Sequence, residues 1–219
     1  GSEMCIRDRR YTLRDAIVHA DGYDAQGHAF RAESGKLPLI RTKGAARYDT
    51  ALYCMSAVSR RYFGHWLQDA CATALLGHGE DALALDDRPD WPHAGEYLSA
   101  FGFRPAVAPS LRVRELTVYQ DHGQGSSKRE RYQRMRAMLR DALPASGQGP
   151  SAVYLRRGAT GTARVIENDQ AIGELLARRG FEIVDLDGTS AASLHGKLRD
   201  ASIVVSMDGS HLNHIYTAA

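Results

Sequence analysis

The sequence is poor in cysteine and has no long hydrophobic run. Its three cysteines, Cys5, Cys54 and Cys71, show neither a C-x-x-C spacing nor a paired arrangement, which argues against a disulfide framework and a zinc site. No apolar stretch approaches the roughly 18 to 20 residues of a membrane span, and no secretory signal is visible. These absences predict a cytoplasmic protein.

A strong net charge is also lacking, as are the commonest catalytic motifs. The formal net charge is +2, too small to attract nucleic acid over the whole surface. The patterns G-x-S-x-G and H-E-x-x-H do not occur, and no strand is followed by G-x-G-x-x-G. The stretch "HGQGSSK" (122–128) lacks the spacing of a phosphate loop. The sequence therefore argues against the usual hydrolase, zinc-protease, dinucleotide-binding and P-loop classes.

What the chain does have is a regular alternation of strands and helices, with 43% hydrophobic residues to build a core. This alternation predicts an α/β fold with parallel sheets. We expect two Rossmann-like blocks, residues 51–145 and 146–219, joined at the Gly- and Pro-rich stretch "PASGQGPS". Residues 1–50 are expected to be an N-terminal extension, partly artefactual, in which "LPLIRT" (37–42) is the best strand candidate.

The first block is predicted to contain two strands and three helices. Apolar residues at helical spacing predict a helix over 62–76. A second helix should begin at Asp90 as its cap and end at Gly102. The remaining elements are a buried strand at 81–87, an alternating strand at 112–120 and a helix at 128–143.

The second block has the clearest pattern. Its three predicted strands lie at 151–157, 181–186 and 201–206. Asn168 should cap a helix that ends at Gly180, and Thr189 or Ser190 should cap the next. A last helix is expected to begin at Gly209.

The stretch "SMDGSHLNH" (206–214) follows an apolar strand. Gly209 and Ser210 would offer free N–H groups and the positive end of a helix dipole to a phosphate. Alternatively, Asp208 or Ser210 merely caps the helix. His211 and His214 lie one turn apart, but no third ligand is near them, so we expect no metal site.

Two arginines end the strand at 151–157, and Arg164 lies in the loop beyond. Side chains alternate along a strand, so only one of Arg156 and Arg157 should address a given ligand. The planar fork of arginine suits a diphosphate. The alternative is a solvated strand end.

His65 and Asp69 are four residues apart on one face of the first helix, beside Trp66. A carboxylate there could serve as a general base on a hydroxyl, with the histidine orienting it or binding substrate. The pair could equally be an ordinary helix-stabilising contact. The basic helix from Lys128 to Arg140 is similarly ambiguous, because it is either a solvated face or a contact for a membrane surface or an acidic glycan.

The order of these motifs resembles glycosyltransferase family 61. The resemblance covers about residues 53–216 and is densest after 151. It rests on "YFGHWLQD" (62–69), on "YLRR" with the following "RVIEND" (154–169), on "FEIV" (181–184) and on the glycine-containing helix start after "IVVS" (203–210).

The resemblance implies a GT-B-like fold and an inverting transfer of a sugar from a nucleotide-sugar donor to an acceptor hydroxyl. Bacterial members often serve capsular or other surface-polysaccharide synthesis. It implies that Asp69 or His65 is the base and that Trp66 lies on the acceptor side. The implied donor-binding residues are Arg156, Arg157, Arg164, Asp208, Gly209, Ser210, His211 and His214. No metal or other cofactor is expected.

The implied partners are the donor and a glycan or lipid-linked glycan acceptor, with no nucleic acid. Contact with the inner membrane face through Lys128 to Arg140 would make the cytoplasmic protein peripheral to that membrane.

The chain departs from the family pattern in two ways. Many members read "GPHGAGLTN" at the last motif, so Asp208 replaces a histidine and His211 a glycine. A carboxylate repels a diphosphate, and we therefore expect Asp208 to accept from a sugar or ribose hydroxyl or to cap the helix. The chain also ends inside that helix, which predicts a truncated gene with an incomplete donor block. The alternative function is a non-catalytic fragment that binds nucleotides or glycans.

Overall fold

A computed structural model describes residues 9–31, 44–121, 123, 125–143, 148–157 and 166–217. The chain divides into two compact units. Unit 1 comprises Gly1–Arg88 and Gly102–Tyr132, and unit 2 comprises Pro89–Phe101 and Gln133–Ala219. The strand expected at 37–42 and Arg164 lie outside the described residues.

Unit 1 is built on a six-stranded mixed sheet with the order β3-β2-β1-β6-β4-β5. The strands are β1 Arg9–His19, β2 Gly22–Ala25, β3 His28–Arg31, β4 Ala46–Tyr53, β5 Ala82–Ala84 and β6 Ser110–Gln120. Strand β4 pairs in parallel with β5 and β6, as the alternation of strands and helices predicts.

The expectation of parallel pairing is confirmed for β4, β5 and β6 but is wrong for the whole sheet of unit 1, because residues 9–31, which were expected to belong to an N-terminal extension, add three antiparallel strands. Strand β1 pairs antiparallel with both β2 and β6, and β2 pairs antiparallel with β3. Strands joined by two-residue turns must pair antiparallel, because a parallel pair needs a long crossover. The turn between β2 and β3 is Gln26-Gly27, in which Gly27 has a φ of +72°.

The helix expected over 62–76 is present over 63–74, but its middle is π-helical. It consists of α1 Phe63–His65, a π-helix Trp66–Cys71 and α2 Ala72–Ala74. The π-helix buries Trp66, Leu67, Ala70 and Cys71. π-helical turns are rare and are frequently found at functional sites. This segment is therefore a candidate part of a functional site.

Unit 2 contains a three-stranded parallel sheet with the order β8-β7-β9, which confirms the parallel pairing expected for the second block. Its strands are β7 Ala152–Arg156, β8 Glu182–Asp185 and β9 Ile203–Ser206. Its core joins the central strand to the helix that follows β8, and consists of Val153, Leu155, Val184, Leu186, Leu194 and Leu198.

The remaining helices are α3 Ala94–Ala100, α4 Ser126–Ala142, α5 Asp169–Ala177, α6 Ala191–Leu198 and a 3-10 helix, Ser210–Thr217. None of those in the described ranges is long and apolar enough to cross a bilayer. The last segment was expected to be an ordinary helix. Its 3-10 geometry, with three residues per turn, brings residues three apart onto one face.

Some of the helix caps predicted from the sequence are present in the structure and others are not. Ser190 caps α6, and its Oγ accepts from the Ser193 N–H at 3.1 Å. Asn168 precedes α5 without a side-chain cap bond. The prediction of an Asp90 cap is wrong, because α3 begins only after His93. Gly102 has the positive φ, +66°, that favours glycine just beyond a helix end.

His195 in α6 gives a stability prediction. Its side chain is fully buried, and neither ring nitrogen has a hydrogen-bond partner in the described part of the chain. A buried polar group without a partner costs about 1–3 kcal/mol. We therefore expect His195→Leu to raise the free energy of unfolding at pH 7 by about 1–2 kcal/mol in urea titrations. Leucine at the exposed His78 should leave it unchanged, and a marked loss of stability in His195→Leu would contradict the assignment.

Candidate functional site

Several polar side chains gather beyond the carboxyl ends of three neighbouring strands in unit 1. Strands β5, β4 and β6 are parallel, so the segments that leave them emerge at one edge of the sheet, where α/β proteins bind ligands. The helix after β4 carries His65 and Asp69, β5 is followed by Asp86, and β6 by Asp121 and Lys128. This edge is the candidate catalytic site of unit 1.

The expected contact between His65 and Asp69 is present, and its geometry bears on which of the two can act as a base. The Nδ1 atom of His65 lies 2.8 Å from Oδ2 of Asp69. An ionised carboxylate only accepts hydrogen bonds, so Nδ1 carries the hydrogen and Nε2 of the neutral ring keeps its lone pair. The His65 side chain is 41% exposed, and among the described residues its Nε2 has no partner. The arrangement suits His65 as the base and Asp69 as the group that orients it.

Two cations, Lys128 and Arg131, complete this cluster, and the sequence analysis assigned neither of them to a catalytic site. Lys128 donates to Oδ1 of Asp69 at 2.8 Å and lies 3.9 Å from Oδ2 of Asp121. Arg131 donates to both oxygens of Asp121 at 2.7 Å. The side chains of Lys128 and Arg131 are only 3% and 6% exposed.

The spacing of residues along α4 could have indicated that these two cations are buried. Lys128 and Arg131 continue the spacing of the buried Met135 and Leu139, which places them on the inner face of the helix. The exposed cations of α4 are Arg129, Arg134 and Arg140. Lys128 is therefore not available for the membrane or glycan contact that was expected of it.

A cavity of about 400 Å³ lies in unit 1, and its polar lining includes Tyr53, Arg60, Asp86 and Asp87. Arg60 donates to Oδ2 of Asp86 at 3.1 Å and to the Tyr53 hydroxyl at 3.2 Å. Burial raises the pKa of Tyr53 to about 12, so the phenol stays protonated. Trp66 is fully buried and donates to the carbonyl of Asp86 at 2.9 Å. It supports the cavity wall, and it can act on a ligand only through that wall.

In unit 2 the structure brings five of the expected donor residues together at the ends of β7 and β9. Arg157 donates to the carbonyl of Asp208 at 3.3 Å. A Cβ at Gly209 would lie 2.6 Å from Nη1 of Arg157 and 2.9 Å from Nδ1 of His211, so a larger residue there would displace one or both of these side chains. Ser210 opens the 3-10 helix directly afterwards.

Arg156 points elsewhere, as the alternation of a strand requires. Its Nε donates to Asp169 at 2.7 Å, and its Nη1 lies 3.4 Å from Asp185. The Tyr154 hydroxyl also donates to Asp169. Arg156 is thus held by two carboxylates of its own unit, and Arg157 is the arginine that accompanies the stretch at 208–211.

His211 is neutral at physiological pH and has a defined orientation. Its Nε2 lies 2.7 Å from Oγ of Ser206, and that hydroxyl donates to the Leu155 carbonyl at 2.6 Å. The single hydroxyl hydrogen is thereby used, so Nε2–H of His211 donates to Oγ and Nδ1 keeps its lone pair. Burial, together with Arg157, lowers the pKa of His211 to about 4. Its Nδ1 is suited to accept from a hydroxyl.

His214 is part of the core of unit 2. Its side chain is 2% exposed, its Nδ1 lies 2.7 Å from the Tyr97 hydroxyl, and its ring packs edge-on against His93. Burial lowers the pKa of His214 well below 6.5. Its burial does not suit the direct donor contact that was expected of it.

The start of α6 in unit 2 is occupied by a carboxylate of the protein. Glu96 accepts the N–H groups of Ala191 and Ala192 at 3.1 and 3.3 Å, so the positive end of α6 already has its anion.

The sequence reasoning also missed the carboxylate pair Asp185 and Asp187, whose spacing of two is a recurrent pattern in metal sites. Asp185 lies in the ion pair with Arg156. Within the described ranges no group of three His, Cys, Asp or Glu side chains could hold a metal ion.

A comparison with protein families gives a match over most of the chain. The model of the family described as Glycosyltransferase 61 matches residues 63–219, more than half of the chain. The matched range contains the His65–Asp69 pair, Lys128 and the stretch at 208–211. No curated protein sequence matches the chain.

Proposed function

Because the chain belongs to glycosyltransferase family 61, we propose that it transfers a sugar, with inversion and without a metal ion, from a nucleotide-sugar donor to a hydroxyl of a glycan or lipid-linked glycan. The observation that carries this proposal is the His65–Asp69 pair, whose hydrogen bond leaves Nε2 of His65 with a lone pair. The proposal includes a role in bacterial capsular or other surface-polysaccharide synthesis.

In the proposed reaction His65 acts on the acceptor. Its Nε2 takes the proton of the acceptor hydroxyl while the hydroxyl oxygen attacks the anomeric carbon of the donor sugar. The bond between that carbon and the phosphate oxygen breaks, and its electron pair leaves with the nucleoside diphosphate. One in-line displacement inverts the anomeric centre, and Asp69 stabilises the imidazolium that forms.

The leaving group is assigned to unit 2. Arg157 and the N–H groups of Gly209 and Ser210 would stabilise the negative charge that develops on the diphosphate. The lone pair of His211 Nδ1 would accept from a ribose or sugar hydroxyl, because a neutral acceptor is unsuited to phosphate. Asp208 is also assigned to a hydroxyl, because its carboxylate would repel the negatively charged diphosphate.

The acceptor is assigned to the cavity of unit 1. Asp86, Asp87 and Arg60 line this cavity and supply hydrogen-bond acceptors and donors, which suits the hydroxyl groups of a sugar. The remaining lining is mainly apolar, including Leu85, and can pack against the apolar face of a sugar ring.

The function is tested by incubating the protein with UDP-, GDP- and CDP-activated sugars and a panel of oligosaccharide acceptors. Release of the nucleoside diphosphate measures turnover, and NMR of the product gives the anomeric configuration. An inverted product supports the proposal, and a retained configuration contradicts the mechanism. Binding of a donor without any turnover would favour the non-catalytic alternative.

A donor-side prediction concerns Arg157. We expect Arg157→Gln to weaken nucleoside-diphosphate binding by about 10- to 100-fold, the usual cost of losing a hydrogen bond to a charged group. Isothermal titration calorimetry measures the change. Arg179→Gln removes an equal charge from an exposed position of the same unit and should bind like the unaltered protein. Equal binding by Arg157→Gln would remove Arg157 from the donor site.

The proposed location is the cytoplasm. Peripheral contact with anionic lipid is assigned to Arg129, Arg134 and Arg140, which are exposed on α4. Binding to anionic vesicles that weakens as salt increases would support this part of the proposal, and binding to neutral vesicles alone would contradict it.

A further inference from the structure

We propose that Lys128 is a positioning residue of the reaction, and that it holds Asp69 in the one orientation that makes Nε2 of His65 the basic nitrogen. This inference rests on the proposed function for its catalytic meaning. Its structural content, a chain of contacts from His65 through Asp69 and Lys128 to Asp121, can be tested on its own.

The contacts of Asp69 carry the argument. One oxygen of its carboxylate, Oδ2, lies 2.8 Å from Nδ1 of His65, and the other, Oδ1, accepts from Lys128 at 2.8 Å. A carboxylate that makes two charge-assisted or strongly polar contacts in different directions cannot rotate without losing one of them. Lys128 therefore fixes the direction in which Oδ2 faces the imidazole.

The position of the Lys128 side chain is fixed by its burial and by a second carboxylate, that of Asp121. Its side chain is almost completely buried, and its ammonium lies 3.9 Å from Oδ2 of Asp121. Both carboxylate oxygens of Asp121 accept hydrogen bonds from Arg131, which also donates to Oγ of Ser127 at 2.9 Å. A buried ammonium needs such compensation, because an isolated buried charge is very costly. Two carboxylates and two cations alternate in this cluster, so their formal charges cancel.

The tautomer of His65 depends on these contacts. Without a fixed acceptor at Nδ1 the two neutral tautomers of imidazole become similar in energy, and part of the population carries its proton on Nε2, where it cannot accept the proton of a hydroxyl. Loss of the Lys128 charge also leaves Asp69 less neutralised, so it would stabilise the imidazolium more strongly. Both effects lower the fraction of competent base near neutral pH.

The decisive experiment compares Lys128→Met, Lys128→Arg and the unaltered protein. The ¹⁵N shifts of the His65 ring report which nitrogen carries the proton. We expect a single tautomer with the proton on Nδ1 in the unaltered protein and in Lys128→Arg. In Lys128→Met we expect a mixture of tautomers. Arg112→Met, which removes an exposed cation of β6 in the same unit, is the matched control and should resemble the unaltered protein.

Turnover provides the second readout. We expect kcat of Lys128→Met to fall by about 10- to 100-fold, with the acid limb of its pH–rate profile moved to higher pH and the KM of the donor nearly unchanged. Lys128→Arg should recover much of the rate. A merely structural lysine would lower the amount of folded protein without moving the pH profile of the folded fraction.

The outcomes separate this inference from the proposed function. A proton on Nε2 in the unaltered protein overturns the inference, even if Lys128→Met proves unable to fold. The inference is also overturned if Lys128→Met folds and shows the same His65 tautomer and the same rate as the unaltered protein. If no sugar is transferred by any form but the tautomer changes in Lys128→Met, the contact chain stands and the proposed function fails.

Discussion

Replacing His65 with alanine is expected to lower kcat for sugar transfer by about 10²- to 10⁴-fold, the range usual for loss of a general base. The variant removes the only atom proposed to take the acceptor proton, while its neighbours Asp69 and Lys128 keep their own ion pair. Binding of nucleoside diphosphate should stay within about twofold, because Arg157 and the stretch at 208–211 belong to unit 2. Rates of diphosphate release and calorimetric affinities measure the two effects separately.

Asp69→Asn tests the same pair from the other side. An asparagine amide can donate to Nδ1, which would then keep the lone pair and place the proton on Nε2. We therefore expect this variant to lose transfer while it retains diphosphate binding. Alanine at the exposed His78 serves as the control. If His65→Ala retains most of its activity and Asp69→Asn does not, the base is Asp69, and the assignment made from the hydrogen bond is wrong.

Acidification is expected to destabilise unit 2 below pH 6.5. Burial lowers the pKa of His195, lowers that of His214 well below 6.5 and, together with Arg157, lowers that of His211 to about 4. Histidines in the unfolded chain titrate near 6.5, so the unfolded state binds protons that the folded state excludes. The contribution is complete above pH 6.5 and is lost as pH falls. Each buried histidine costs up to about 1.4 kcal/mol per pH unit.

This loss is measured by urea denaturation between pH 7.5 and 5.0, with hydrogen exchange of β7 and β8 to assign the transition to unit 2. His195 and His214 together should give a slope of up to about 2.8 kcal/mol per pH unit. The His195→Leu variant should lose part of that slope, whereas leucine at His78 should preserve it. A free energy of unfolding that does not change over this range would show that these rings are protonated or solvated in the folded protein.

The local structure of the second block was readable from the sequence because its signals are local. Ser190 caps α6 through a bond to a residue three positions away, and Gly180, with a φ of +86°, lies just beyond the helix that starts at Asp169. Such interactions depend on neighbours along the chain. The antiparallel part of unit 1 was not predicted, since β1 pairs with a strand about one hundred residues further on, at β6.

The candidate site divides in the same way. The sequence by itself determined that His65 and Asp69 share a helix face and that Arg156 and Arg157 diverge, because helix and strand periodicities fix these relations.

Only the tertiary structure decided which groups those residues meet. It placed Lys128, a residue the sequence assigned to a basic surface, against Asp69 across 59 positions of the chain, and it buried His214 against Tyr97 across 117. The physical reason is that periodicity sets the direction of a side chain, whereas its partner, its burial and therefore its charge state depend on which distant segments pack against it.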